Sequence, residues 1–519
     1  MVTLRREISW GKISGMSRRI PKTFSELGGL SLLMGVAMAA CLVALLKLPL
    51  WRGPYVTSFL SYYLIAGGAY LIVTYRLRTD RLPIYLIWVF AVLFRVILLY
   101  TTPSLSDDVF RFIWDGHLIN AGMNPYTYPV NDPHLDPLNT ELRSLVNHSW
   151  MASPYLPSAQ LLFSIVGKID PQQAKAYQIT AVLLDLSTGW LVMSNLRRLT
   201  LPPSLVLIYL WNPLVIVEFA QGAHVVDALM ICLVMLSFWL LLLANPIRKR
   251  ASAHKYGSVV SMAAATLTKG LPVLFLPVLW RRWGWIRLFL YFTILLTIST
   301  YFANNAGWGL FGPIDGRGYF GALRIYLSQW NFNGGLYHWL EVWISGYPTP
   351  GAVPVEIVGE APIRLARLIS AALIGLSMIG TAIWSYRLDD PSKAELLSRT
   401  LALLRLATLP IGAYLLFTHT VHPWYVILMI PFLPFLLPQK EKTARTSRLI
   451  WPWMYLSLSI SFSYLTYINP NDFRELSFVR LVEYLPFYGL LLWALVPLIQ
   501  EPLTSIVDGR IRWGRIKRR

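Results

Sequence analysis

Long apolar stretches separated by short polar ones set the plan of this chain. A helix of about 20 apolar residues, rising 1.5 Å each, crosses roughly 30 Å of hydrocarbon. Twelve stretches are read as such spans: residues 28–48, 56–75, 82–101, 174–195, 203–220, 225–244, 284–302, 363–385, 397–418, 423–437, 449–468 and 480–499. Residues 256–280 are a thirteenth case. A single crossing there would move every later loop to the other side, including QKEKTARTSR and the basic C-terminus. A re-entrant hairpin broken at Lys269-Gly270-Leu271-Pro272 keeps the arginine-rich loops on one side, and a Gly and a Pro this close break a helix. The pattern therefore predicts an all-α polytopic membrane protein of about 12 transmembrane helices with one broken hairpin.

With the N-terminus inside, the chain divides into a basic cytoplasmic segment (1–27), three helices (28–101) and an outer loop (102–173). Further helices with the hairpin follow (174–302), then a second outer loop (303–362), the C-terminal helices (363–500) and a basic cytoplasmic tail (501–519). The first apolar segment is too long for a signal-peptide core and lacks a clear cleavage site, so it is expected to remain as an anchor.

Composition agrees. Of 519 residues 55% are hydrophobic and 14% charged, where a soluble domain carries about 25% charged residues. The net charge of 46 − 26 = +20 does not point to nucleic acid. The basic residues sit in short clusters between apolar runs, such as Arg76, Arg78 and Arg81, or at the ends, as in RIRWGRIKRR, which is the positive-inside pattern. Cys41 and Cys232 lie in apolar runs and imply no disulfide framework. Walker and HExxH motifs are missing, and no GxGxxG stands between a predicted strand and a helix as a dinucleotide fingerprint requires. A reaction at the outer face would therefore draw on an activated donor already in the membrane, and a lipid-linked phosphate ester fits that need.

The polar residues that remain gather on one face. In SLSDDVFRFIWDG, residues 104–116, Asp107 and Asp108 precede a segment whose Phe110, Trp114 and Leu118 recur at helical spacing. Asp108, Arg111 and Asp115 are spaced for an ion-pair row beside that stripe. The segment reads as an interfacial helix with both aspartates at its N-terminus, where they serve either as caps or as catalytic carboxylates. Glu218, His224 and Asp227 lie in EFAQGAHVVD, and His422, Trp424 and Tyr425 in THTVHPWY. Lys269 stands at the hairpin bend, where an ionisable residue in the membrane is a functional candidate. Arg95, Asp185 and Arg405 fall inside spans and read as structural, Arg95 with Asp185 as an ion pair.

These segments resemble a known family. SDDVFRFIWDGHLINAGMNPY looks like the first outer loop of bacterial GT-C glycosyltransferases, especially the polyprenyl-phosphate-mannose-dependent mannosyltransferases. WNPLVIVEFAQGAHVVDALM, TLTKGLPVLFLP and THTVHPWYVILMIP are similar to further blocks of that family in the same order, so the likeness runs over about residues 80–440. The resemblance implies a GT-C-like fold in the cytoplasmic membrane, active face outside, and transfer with inversion of a hexose, mannose first, from a polyprenyl phosphate sugar. The acceptor would be a lipid-linked glycan or polysaccharide. Asp107 or Asp108 would be the general base, and the other would orient the acceptor or hold a divalent cation such as Mg or Mn. Arg111 would fix the second carboxylate, while Lys269, His422 and His224 would meet the donor phosphate. Asp227 and Glu218 would orient His224 or bind sugar hydroxyls; Trp114, Trp424 and Tyr425 would offer ring faces. A transporter or flippase of lipid-linked glycans is the alternative, and it would carry interrupted helices in corresponding halves, of which the sequence predicts one.

Overall fold

The computed structural model describes residues 28–77, 82–138, 140–170, 173–244, 251–310, 312–313, 315–346, 360–388, 396–437, 446–469 and 475–499. The basic N-terminus and tail, Arg78, Arg81 and most of QKEKTARTSR lie outside these residues. The protein is all-α and polytopic. Helices α1 (Gly29–Leu45) and α2 (Val56–Arg76) pair as a hairpin, and α3 (Ile84–Leu98) leads to a loop holding α4 (Asp108–Asn120), α5 (Glu141–Leu145) and α6 (Pro157–Ile169). Next come α7 (Ala174–Arg198), the short α8 (Leu207–Leu210) and α9 (Pro213–Ala220), and α10 (Val225–Leu243). After α11 (Ala251–Thr266), α12 (Leu276–Trp283) and α13 (Trp285–Asn305), a second loop holds α14 (Gly321–Gln329) and α15 (Leu336–Ser345). The C-terminal part is α16 (Glu360–Leu388), α17 (Leu396–Leu406), α18 (Thr408–Phe417), α19 (Pro423–Leu436), α20 (Ile450–Ser459) and α21 (Ser477–Ile499). Among the described residues, seven helices are long and apolar enough to cross a membrane, or eight if one bent pair counts as a span; α1, α3 and α19 are shorter apolar helices.

That bent pair corrects one expectation. Residues 203–220 do not form a single straight helix but turn by 58° between Pro203–Leu210 and Pro213–Ala220. Pro213 has no N–H to continue the ladder and pushes Asn212 out of helical geometry. Asn212 then caps α9, its Oδ1 accepting from the amides of Leu214 (3.0 Å) and Val215 (3.4 Å). Its Nδ2 donates to the hydroxyls of Tyr70 (3.3 Å) and Ser457 (3.0 Å), so the break also knots α2 to α20. Among the described residues this segment is interrupted as well as the predicted hairpin.

The second is the hairpin. After α11 the chain turns at 267–270, passes through a 3₁₀ stretch Leu271–Phe275 and runs back as α12. Trp283 Nε1 donates to Ser258 Oγ (3.0 Å) and Arg287 to Ser252 Oγ (2.8 Å), which brings the end of the return leg level with the start of the outgoing one. Deep in the bundle Arg95 of α3 donates to Asp185 of α7 and to the carbonyls of Ala91 and Leu210, both at 2.9 Å. Both members of this pair are fully buried. Arg405 instead donates to the carbonyls of Phe435 (2.8 Å) and Leu437 (3.3 Å), the acceptors a helix C-terminus leaves open.

In the first loop α4 lies on α6. Phe112 stacks on Phe163 with centroids 4.9 Å apart, and the helices meet so closely that a Cβ on Gly116 would stand 2.5 Å from the Phe163 carbonyl oxygen. Trp114 is fully buried with Leu118, Val130, Leu135 and Val146. It serves as a core residue of the loop rather than as a free ring face.

Candidate active site

The N-terminus of α4 separates the two aspartates. Asp107 occupies the N-cap position without a capping bond. Instead its two oxygens meet Arg52, each 2.8 Å from a guanidinium nitrogen, the bidentate fork that Arg suits best. Asp108 points elsewhere, accepting from Asn147 Nδ2 at 3.1 Å, while its backbone N–H donates to Ser106 Oγ at 3.2 Å. No ion pair reaches Asp108 among the described residues. Arg111 does not fix it: Arg111 is buried, donates to Asp115 (3.1 Å) and to the Met151 carbonyl (3.1 Å), and belongs to the loop core. Burial pushes the Asp115 carboxyl up, opposed by Arg111, Ser153 and Gln160.

A second group forms around the QGAH turn and the hairpin tip. Gly222 is required there because a Cβ would lie 2.7 Å from the Glu218 carbonyl oxygen, and Ala223 takes a left-handed φ of 55°. The turn aims His224 back at Glu218, Nε2 to Oε2 3.2 Å, and Tyr464 donates to Glu218 Oε1 at 2.7 Å. Lys269 at the tip donates to Asp227 Oδ1 at 2.7 Å, and its ammonium lies 3.9 Å from the centre of the Tyr425 ring. The Tyr425 hydroxyl bonds that of Tyr326 at 2.6 Å.

His224, Trp424, His422 and Phe332 build a column of four near-parallel rings. Successive centroids are 4.0, 4.5 and 4.7 Å apart, with interplanar angles of 22°, 1° and 20°. Burial, reinforced by Lys269, His224 and His148, pushes His422 down to about 3. A neutral imidazole covered on both faces is a poor ligand for a phosphate charge. Phe332 is set in the column by a short bridge to the segment before His422, with Phe332 N–H donating to the His419 carbonyl (3.1 Å) and Val421 N–H to that of Phe332 (2.8 Å).

Burial pushes the phenols of Tyr155 and Tyr326 up, and the charges of both Asp108 and Asp227 add to the shift in each. Glu218, His224, Asp227, Lys269, His422, Trp424 and Tyr425 thus form one contact network; Asp107 and Asp108 form a separate group, whose Arg52 turn is tied to the QGAH turn through Ser104 and Gln221, and Arg111 and Trp114 pack inside the first loop. Among the described residues no group of three or more His, Cys, Asp or Glu side chains is arranged to hold a metal ion. With both Asp107 oxygens on Arg52, the aspartate pair does not fit one either. Arg52, Asn147, Tyr326 and Phe332 were not singled out from the sequence. Arg52 had one signal, its place in LPLWRGPY, a polar turn between the first two spans on the side assigned to the outer loop.

Residues 27–285 match the family model described as "Alpha-(1->6)-mannopyranosyltransferase, N-terminal domain". Over that segment, just under half of its length, the chain is similar to this family. It contains Arg52, both aspartates, Glu218, His224, Asp227 and Lys269; Tyr326, Phe332 and the His422 turn lie beyond it. A curated relative, "Alpha-(1->6)-mannopyranosyltransferase A" of Corynebacterium glutamicum, is 29% identical over 193 residues, 35% of this chain and 36% of the relative. The matched part thus spans about a third of that protein's length. No solved structure matches.

Proposed function

We propose that the protein is a membrane-embedded mannosyltransferase that moves mannose from a polyprenyl phosphate to an acceptor hydroxyl, with inversion, at the outer face of the cytoplasmic membrane. The observation that carries this reading is the division of labour at α4. One aspartate is neutralised by Arg52, and its half-buried neighbour meets no cation among the described residues. Mannose is supported by the matched family and its relative.

Asp108 is the base in this reading. It takes the acceptor proton as the acceptor oxygen bonds to the anomeric carbon, and the bond from that carbon to the phosphate oxygen breaks, its electron pair leaving with the polyprenyl phosphate. If the product is the α-1,6 mannoside of the family's description, inversion requires a β-linked donor. Glu218, His224 and Asp227, held by Tyr464 and Lys269, frame the sugar subsite. The acceptor is a lipid-linked glycan or a polysaccharide. The two interrupted segments both fall within 203–283 rather than in corresponding halves, so the transporter reading gains nothing from the second.

The test is transfer from synthetic polyprenyl phosphate mannose by purified, folded variants. Asp108→Asn should lose about 10²–10⁴-fold in turnover, the range for a general base, whereas Asp107→Asn retains measurable transfer. Equal turnover in Asp108→Asn and the unaltered protein would sink the assignment.

A further inference from the structure

We propose that Arg52 is the cation that receives the phosphate of the lipid donor, with Asp107 holding it in place while the site is empty. This rests on the reading of the chain as a lipid-phosphate-sugar transferase.

The turn between α1 and α2 is built to present this one side chain. Trp51 on one side is buried, stacks on Phe59 at 5.2 Å, and its backbone N–H donates to Ser104 Oγ at 3.2 Å. Ser104 in turn accepts from Gln221 Nε2 at 2.9 Å, so the turn is tied both to the start of the first outer loop and to the QGAH turn. On the other side Gly53, with a left-handed φ of 63°, and Pro54 force the chain straight into α2. The backbone of Arg52 is therefore clamped between a buried anchor and a helix start, although its side chain is not buried.

Exposure distinguishes Arg52 from the other cations of the site. Arg52 and Asp107 are each 35% exposed, against 22% for Lys269 and 5% for its partner Asp227. Lys269 is also covered by the Tyr425 ring, and His422 is enclosed in the ring column. A guanidinium has five N–H donors in a planar fork; Asp107 occupies the end of the fork, and a half-exposed carboxylate can yield that place to a phosphate at small desolvation cost. A phosphodiester donor carries one negative charge and the departing phosphate monoester nearly two. A cation at this place is therefore favoured more as the anomeric bond breaks than before it. Arg52 is occupied by Asp107 in the empty site and by the phosphate when the donor is bound, so in both states it is kept off Asp108, which must stay free to take a proton.

The experiment measures binding, so it does not depend on transfer. Full-length protein in nanodiscs is titrated with a polyprenyl phosphate and with the uncharged polyprenol of the same length, for the unaltered protein, Arg52→Gln, Arg52→Lys, Asp107→Asn and the Arg52→Gln/Asp107→Asn double variant. Arg52→Gln should weaken binding of the phosphate lipid at least about tenfold, as expected for loss of a charge-assisted hydrogen bond, and leave polyprenol unchanged. Arg52→Lys should recover part of the loss, Asp107→Asn should bind the phosphate lipid as tightly as the unaltered protein or more so, and the double variant should match Arg52→Gln. If Arg52 only clamps Asp107, the two single variants weaken alike and the proposal falls. It falls too if phosphate and polyprenol respond equally to Arg52→Gln. Should Arg52→Gln not fold, weaker phosphate binding in Asp107→Asn alone overturns it, and tighter binding supports it. Arg52-dependent phosphate binding without any transfer would retain this site and reject the transferase reading; transfer without Arg52-dependent binding would do the reverse.

Discussion

At the scale of single residues, the instructive contrast is between neighbours that look equivalent in sequence. Asp107 and Asp108 are identical in type and adjacent in the chain, yet one is paired with a residue 55 positions earlier and the other is not. The pair itself is legible from SLSDDVFRFIWDG; its asymmetry depends on Arg52, which no local spacing connects to it. Lys269 with Asp227 is similar, since each stands out alone and only the bend brings them within 2.7 Å. His422 adds a pH-dependent effect. Its unfolded value is near 6.5 and its folded value about 3, so the folded state resists a proton that the unfolded state accepts. Full stability is present above pH 6.5 and is lost as pH falls from there toward 3. Melting temperatures in detergent should drop through this window, and His422→Phe, which keeps a ring in the column, should shrink the drop. An unchanged profile would mean that the enclosed ring does not govern acid stability.

At the scale of elements, the apolar pattern found the helices because burial in lipid or core is what such runs are for, and it found the broken hairpin because Gly270 and Pro272 interrupt it. It missed the bend at Asn212, where WNPL is as apolar around the break as a continuous helix would be. Trp114 was misjudged for a related reason: helical spacing reveals a stripe but not whether lipid, sugar or protein covers it. The contact between α4 and α6 gives a sharp test. Gly116→Val would drive a branched side chain against the Phe163 carbonyl, and an overpacked contact costs about 1–3 kcal/mol. We expect a lower melting temperature together with reduced transfer, because displacing α4 moves Asp108. Loss of neither would show that the two helices separate freely.

For the whole molecule, the sidedness inferred from the arginine clusters is open to direct measurement. With Cys41 and Cys232 replaced by alanine, Asp136→Cys in the first loop should react with an impermeant thiol reagent in intact cells, and Ser252→Cys at the base of the hairpin should be protected. The reverse pattern would invert the topology and place the aspartates in the cytoplasm. The buried pair of Arg95 and Asp185, by contrast, was legible as two ionisable residues within apolar runs, since neither could persist there alone.

That pair also bears on how the protein is made. Its members are 90 residues apart, and a ribosome adding 5–20 residues per second needs roughly 5–18 s to produce the second after the first. During that interval α3 carries an unpaired arginine, which costs about 2.5–3.5 kcal/mol in lipid on insertion scales. The pair therefore closes only after α7 emerges, and the first loop, with the aspartates already in it, is complete before Arg95 meets its partner.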